Sequence, residues 1–106
     1  VRVGSNCIIV SQSGVAGSTE IGDGTILAAQ AGIADNLKIG RRAVVLARAG
    51  VKDHIRDGET VIGTPARPFR QAARIMAAEN RLPDWSKELE RLRARVEELE
   101  KALASR

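Results

Sequence analysis

Aromatic residues are nearly missing from this 106-residue chain: Phe69 and Trp85 are the whole set, and there is no tyrosine. Base-stacking platforms for single-stranded nucleic acid are therefore absent. The net charge of +4 comes from 17 basic and 13 acidic residues mixed along the chain, so no nucleic-acid partner is expected. There is one cysteine, Cys7. It excludes a disulfide framework within the chain and reads as a small core residue. There is one histidine, His54. It excludes a three-histidine zinc site within one chain, and no metal site is expected. No apolar run is long enough to span a bilayer, and no signal peptide is visible. A cytoplasmic protein with at most peripheral membrane contact is the expectation.

What is present is a beat. Val3, Ile9, Val15, Ile21, Leu27, Ile33, Ile39, Val45 and Val51 recur every six residues. A period of six is neither helical nor simple strand alternation, so it marks an internal repeat. The agreement improves at eighteen: Val3-Gly4, Ile21-Gly22 and Ile39-Gly40 align, as do Gly14-Val15, Gly32-Ile33 and Gly50-Val51. One hexapeptide makes a short flat strand and a corner, and three make one coil of a triangular prism. Residues eighteen apart then stack at the inter-strand spacing of about 4.8 Å. The predicted inward stacks are Val3/Ile21/Ile39, Ile9/Leu27/Val45 and Val15/Ile33/Val51.

A second inward column lies two residues before each beat, where a narrow prism needs small side chains. It reads Cys7, Ser13, Thr19, Thr25, Ala31, Leu37, Ala43, Ala49 and Ile55. Leu37 and Ile55 are too large for it and suggest a widening or closing of the last coil. The columns Gly4/Gly22/Gly40 and Gly14/Gly32/Gly50 are expected at corners that need positive φ or close backbone approach.

Residues 1–57 would make about three coils, rising about 14 Å. So small a solenoid buries little apolar area, and both its ends are open sheet edges. Oligomerisation or further coils are expected. The chain opens inside a hexapeptide, at Val1-Arg2-Val3, and reads as a piece of a longer prism.

After Val51 the beat stops. Residues 58–67 read as an exit loop and a short extended piece, with Asp57-Gly58 as a turn signal. A basic helix is expected over 68–82, with Arg67, Arg70, Arg74 and Arg81 giving its charge. Pro83 should break it, and Asp84 or Ser86 should cap a second helix over 84–106. There Trp85, Leu89, Leu92, Val96, Leu99 and Leu103 form an a/d heptad seam. In a parallel assembly Glu88–Arg93 and Arg95–Glu100 would attract between chains. The alternative is an amphipathic helix packed on its own chain. A triangular prism makes a homotrimer natural.

The run Ile8–Asp23, with Ser11-Gln12-Ser13-Gly14-Val15-Ala16-Gly17-Ser18 at its centre, resembles the UDP-3-O-acylglucosamine N-acyltransferases of lipid A biosynthesis. So does Asp57–Arg70, with its Gly63-Thr64-Pro65-Ala66 exit. The resemblance covers nearly the whole chain, tail included. It implies an all-β left-handed parallel β-helix of hexapeptide repeats, about three coils here, followed by two α-helices, the last a coiled coil. The handedness, against the usual right-handed crossover, comes from the resemblance alone. So does the reaction, and the resemblance adds to the prism's own argument for a homotrimer. A 3-hydroxyacyl group passes from the phosphopantetheine thioester of acyl carrier protein to the 2-amino group of a UDP-sugar lipid already acylated at O3, with no bound cofactor.

The resemblance also assigns residues. The family's general-base histidine lies in an Ile-Ala-His-Asn motif that would end just upstream of Val1, so this chain should lack it and show little or no turnover alone. Gly17, one coil on, would offer its N–H to the tetrahedral oxyanion; otherwise it is a corner glycine without a role. Asn36 stands where the family often has a second histidine, and it cannot carry a proton there. His54 reads as a surface loop residue. Asp23, Asp35, Asp53 and Asp57 read as turn residues. Arg67, Arg70, Arg74 and Arg81 would steer and dock the acidic carrier protein, or simply form a solvated helix face. Two other functions stay open: a coenzyme-A-dependent hexapeptide acyltransferase, and a non-catalytic trimerisation module.

Overall fold

A computed structural model describes all 106 residues. The chain divides into two compact units, Val1–Ala73 and Arg74–Arg106. The first unit is a parallel β-solenoid. Its two-residue strands follow the beat: β1 (Arg2–Val3), β2 (Ile8–Ile9), β3 (Gly14–Val15), β4 (Glu20–Ile21), β5 (Ile26–Leu27), β6 (Gly32–Ile33), β7 (Lys38–Ile39), β8 (Val44–Val45) and β9 (Gly50–Val51). They form three walls, β1-β4-β7, β2-β5-β8 and β3-β6-β9, all parallel. Val3 pairs with Ile21 and Ile21 with Ile39; Leu27 joins Ile9 to Val45, and Ile33 joins Val15 to Val51. The stacks are those that the eighteen-residue repeat dictates.

The core is the axis of this prism. Leu27 and Val45 are 0% exposed, whereas Val3 and Ile9, with no coil of this chain above them, are 48% and 49% exposed. The small column is inward as well. Thr19 and Thr25 are completely buried, and their hydroxyls donate to the Ala34 and Gly40 carbonyls at 2.8 and 2.7 Å. Cys7 makes the same contact one coil earlier, Sγ to the Gly22 carbonyl at 3.2 Å. In these three residues the polar atom bonds the carbonyl fifteen residues on, and burial without such a partner would be costly; Ser13 Oγ instead donates to the Val10 carbonyl at 2.6 Å.

Three expectations about the prism change. First, the beat does not stop at Val51. It slips by two residues and resumes at Ile55, which bridges Ile39, and at Val61 in β10 (Thr60–Ile62), which pairs with Val45. Ile55 is therefore a beat residue of a shortened fourth coil, not a misfit of the small column; its size suits where it stands. Leu37 does belong to the small column and is buried. It packs in the same core cluster as Ile55, while Lys52, Asp53 and His54 of the shortened turn are exposed.

Second, Gly14, Gly32 and Gly50 lie within strands, not at corners. The left-handed corner positions are mostly non-glycine: Asn6, Gln12, Ser18, Gln30, Asn36, Arg42 and Arg48, with φ of 54–64°. Close approach to backbone is confined to the Gly4/Gly22/Gly40 column, where a Cβ on Gly22 would lie 2.7 Å from Arg41 N and Gly40 C; a Cβ on Gly50 would meet only a side chain, Thr64 Cγ2 at 3.0 Å.

Third, one helix replaces two. β11 (Arg67–Pro68) turns back antiparallel on β10, and α1 runs over Phe69–Ala104 with Pro83 inside it. Pro83 removes one backbone donor at a cost of about 3 kcal/mol, but it does not end the helix. Ala77, Ala78, Glu79, Arg81 and Leu82 before it and Lys87–Leu92 after it are strong helix formers. Asp84 and Ser86 are helical and cap nothing. Arg67 lies in β11 and not on the helix.

The lower edge of the prism is covered from within the first unit. Gly50 N–H donates to the Gly63 carbonyl at 3.0 Å, Ala66 N–H to the Gly50 carbonyl at 2.8 Å, and Thr64 Oγ1 to the Arg48 carbonyl at 3.3 Å. Strand edges left open this way would invite unwanted pairing.

Candidate functional site

The corner between the wall β3-β6-β9 and the wall β1-β4-β7 carries Gly17-Ser18 in one coil and Asp35-Asn36 in the next. Both are exposed. Gly17 is linked to Asn36 through the backbone: Asn36 N–H donates to the Gly17 carbonyl at 3.0 Å. The Gly17 N–H finds no acceptor in the chain. A Cβ on Gly17 would meet nothing within 4 Å, and its φ is not left-handed. Neither packing nor backbone conformation explains a glycine there. What glycine leaves is an uncovered N–H beside open space.

Asn36 sits at φ 57°, a region that asparagine tolerates better than most residues. Its Nδ2 donates to Asp35 Oδ2 at 3.1 Å, which leaves its Oδ1 free. His54 is exposed, and its Nδ1 accepts the Lys38 N–H at 2.9 Å. It is thus more than a loop residue, a role no sequence pattern announces, because it depends on the two-residue slip of the last coil. Asp23 and Asp57 are turn residues in a specific sense. Their Oδ1 atoms accept the N–H groups of Ser5 and Arg41, each at 2.8 Å.

Another corner carries a ladder that sequence reasoning passed over. Gln30 Nε2 donates to Gln12 Oε1, and Arg48 Nε to Gln30 Oε1, both at 2.7 Å. The eighteen-residue spacing of these three long polar residues was the available signal.

The four arginines separate. Arg67 is half-buried in β11, and Arg70 is exposed in the first turn of α1. In the second unit Arg74 and Arg81 are exposed and seven residues apart, on one stripe of the helix. None of the four is in an ion pair; the pairs in the molecule are Lys52–Asp53 and Arg95–Glu98. The heptad residues Trp85, Leu89, Leu92, Val96, Leu99 and Leu103 are all exposed along the same unit. No three His, Cys, Asp or Glu side chains gather as a metal site would require, and no helix is long and apolar enough to cross a membrane.

Comparison with known proteins bears on this site. No family model matches the chain. A UDP-3-O-acylglucosamine N-acyltransferase of Nitratidesulfovibrio vulgaris is 60% identical over 104 residues, 98% of this chain. One of Desulfotalea psychrophila is 54% identical over 99 residues. By sequence the chain is a relative of the UDP-3-O-acylglucosamine N-acyltransferases. It spans about 30% of the length of these curated relatives and corresponds to a C-terminal portion of them.

Solved acyltransferases share the fold of this N-acyltransferase relative. The acetyltransferase domain of PglB from Neisseria gonorrhoeae, in complex with acetyl coenzyme A, superposes with a TM-score of 0.61 at 27% identity, over 62% of this chain and 32% of that one. Soybean serine acetyltransferase superposes with a TM-score of 0.52 at 25% identity, over 63% of this chain and 39% of that one. An acyltransferase of the hexapeptide-repeat fold is the common ground of both comparisons.

Proposed function

We propose that this chain is the C-terminal part of an N-acyltransferase of lipid A biosynthesis. That enzyme moves a 3-hydroxyacyl group from acyl carrier protein to the 2-amino group of UDP-3-O-acylglucosamine. The observation that carries the reading is the 60% identity over 98% of the chain, joined to a Gly17 N–H without an acceptor.

The amine nitrogen attacks the thioester carbon, a C–N bond forms, and the carbonyl oxygen becomes an oxyanion. The Gly17 N–H donates to that oxygen, a contribution of about 10²–10³ in rate for one such donor. The C–S bond then breaks, the amine proton passes to a general base, and the carrier thiol is protonated as it leaves. Asn36 binds substrate through Oδ1 and carries no proton. The base is not in this chain. His54, its one histidine, lies two coils from Gly17 with Nδ1 already engaged. The chain by itself is therefore expected to turn over little or no substrate.

Arg67, Arg70, Arg74 and Arg81, all without acidic partners, dock the acidic carrier protein. The working unit is a homotrimer. Two walls of the prism support that reading because they lack outward charge: β2-β5-β8 presents Ile8, Ile26 and Val44, and β3-β6-β9 presents Gly14, Gly32 and Gly50. The wall β1-β4-β7 presents Arg2, Glu20 and Lys38 instead. Uncharged outward faces, with Ile8 55% exposed on one of them, suit contact with another copy. The exposed heptad seam supports a parallel coiled coil of the same copies. Such an enzyme works in the cytoplasm, with peripheral membrane contact at most.

A second reading takes coenzyme A as the donor carrier, favoured by the fold shared with the acetyl-coenzyme-A-bound neighbour. Calorimetric titration of this chain with 3-hydroxyacyl carrier protein and with acetyl coenzyme A separates the two. Carrier-protein binding that weakens steeply with salt supports the first reading. Coenzyme A binding with no carrier-protein binding overturns it.

A further inference from the structure

The step from Ile39 to its partner Ile55 is two residues shorter than the two eighteen-residue steps before it, because the turn after Val51 is shortened, and this creates a gap in the backbone ladder. In the first two coils the equivalent donors are satisfied by carbonyls of the next coil. Arg2 N–H donates to the Thr19 carbonyl at 3.0 Å and Glu20 N–H to the Leu37 carbonyl at 2.9 Å. The next donor in that column is Lys38 N–H. Its acceptor is not a carbonyl but the His54 imidazole, at 2.9 Å. One residue on, the ladder is regular again: Ile55 N–H donates to the Lys38 carbonyl at 3.0 Å, and Ile55 bridges Ile39.

We infer that His54 is a positioning residue for the Asn36 corner, its Nδ1 standing in for the ladder carbonyl that the shortened coil cannot supply. Three consecutive N–H groups fix that corner. Asn36 N–H donates upward to the Gly17 carbonyl at 3.0 Å. Leu37 N–H donates to the Thr19 hydroxyl at 3.3 Å. Lys38 N–H donates downward to His54. The first two tie the corner to the coil above, and the third joins the Ile55 N–H bond to the Lys38 carbonyl in tying it to the coil below. An acceptor at Nδ1 requires the neutral imidazole with its proton on Nε2. His54 thereby acts through the backbone of residues 36–38 and touches no substrate. The inference rests on the proposed function only in taking Asn36 as a substrate contact; the clasp stands on the geometry alone.

The test is independent of activity, so its failure is distinct from failure of the proposed reaction. Nitrogen-15 NMR of the imidazole in this chain should show Nδ1 as an unprotonated acceptor and Nε2 as the protonated nitrogen. The opposite tautomer overturns the inference. Amide hydrogen exchange should show Lys38 protected. His54→Ala should speed exchange at Lys38 by about tenfold or more and loosen Asn36 and Leu37, with the Ile21 and Ile33 amides unchanged. His54→Asn, whose Oδ1 can reach the same N–H, should restore protection. Unchanged Lys38 exchange in His54→Ala refutes the clasp. So does equal loss of protection throughout the prism in both variants.

Discussion

Gly22→Ala is the sharpest test of how the prism is held. Gly22 has an ordinary φ, so no backbone strain is at issue. The obstacle is the coil below. A Cβ at Gly22 would lie 2.7 Å from Arg41 N and from Gly40 C, and 2.9 Å from Gly40 O. The backbone would have to yield by about 0.7 Å to reach ordinary contact at 3.4 Å. These are main-chain atoms of a turn already pinned, because Arg41 N–H is bound to Asp57 Oδ1 at 2.8 Å and Gly22 N–H to the Ile39 carbonyl at 2.8 Å. No side chain can swing aside. Overpacking of this kind costs about 1–3 kcal/mol, and the rigid partners place it in the upper half of that range. At about 4–8 °C per kcal/mol for a domain of this size, the midpoint should fall by roughly 10–20 °C. Gly17→Ala is the comparison, since its Cβ meets nothing within 4 Å; it should stay within about 0.5 kcal/mol of the parent. Thermal unfolding followed by circular dichroism reads both. A Gly22→Ala midpoint within 2–3 °C of the parent would refute the close-approach argument.

Other outcomes follow from the same geometry. Thr25→Val keeps the volume but leaves the Gly40 carbonyl without its hydroxyl donor, and should cost about 1–3 kcal/mol in urea unfolding; a neutral result would mean another donor takes over. In a complete enzyme, Gly17→Pro removes the oxyanion donor and should lower kcat about 10²–10³-fold, while Gly17→Ala retains most activity; equal effects would remove Gly17 from the mechanism. Charge reversal at Arg70 and Arg74 should weaken carrier-protein binding and flatten its salt dependence, and unchanged affinity across a salt series would count against docking there. Leu92→Asp puts a charge into the apolar heptad seam, and light scattering should then show a lower or destabilised oligomer; an identical, equally stable mass would exclude the seam from assembly.

The legible part of the fold was the part set by periodicity. A residue at position i of a regular solenoid meets i+18 whatever its identity, so the stacks through Leu27 and Val45 could be read directly. The slip after Val51 was not legible, because Ile55 fits either the small column or a displaced beat until its neighbour is known. The helix was misread at Pro83, where a local breaking signal yields to strong helix formers on both sides. Of the candidate site, Gly17 and Asn36 were reached through likeness to a family. The part played by His54 was hidden, since a histidine in a polar loop carries no period.

The sequence by itself determined the prism, its three walls and its inward columns, because a six-residue repeat of aliphatic side chains leaves no other way to bury them together. Only the tertiary structure decided which glycines are crowded and which are merely small, how the last coil closes, and that an imidazole completes the backbone ladder. Those outcomes turn on distances between coils of a few tenths of an ångström, which no one-dimensional pattern records.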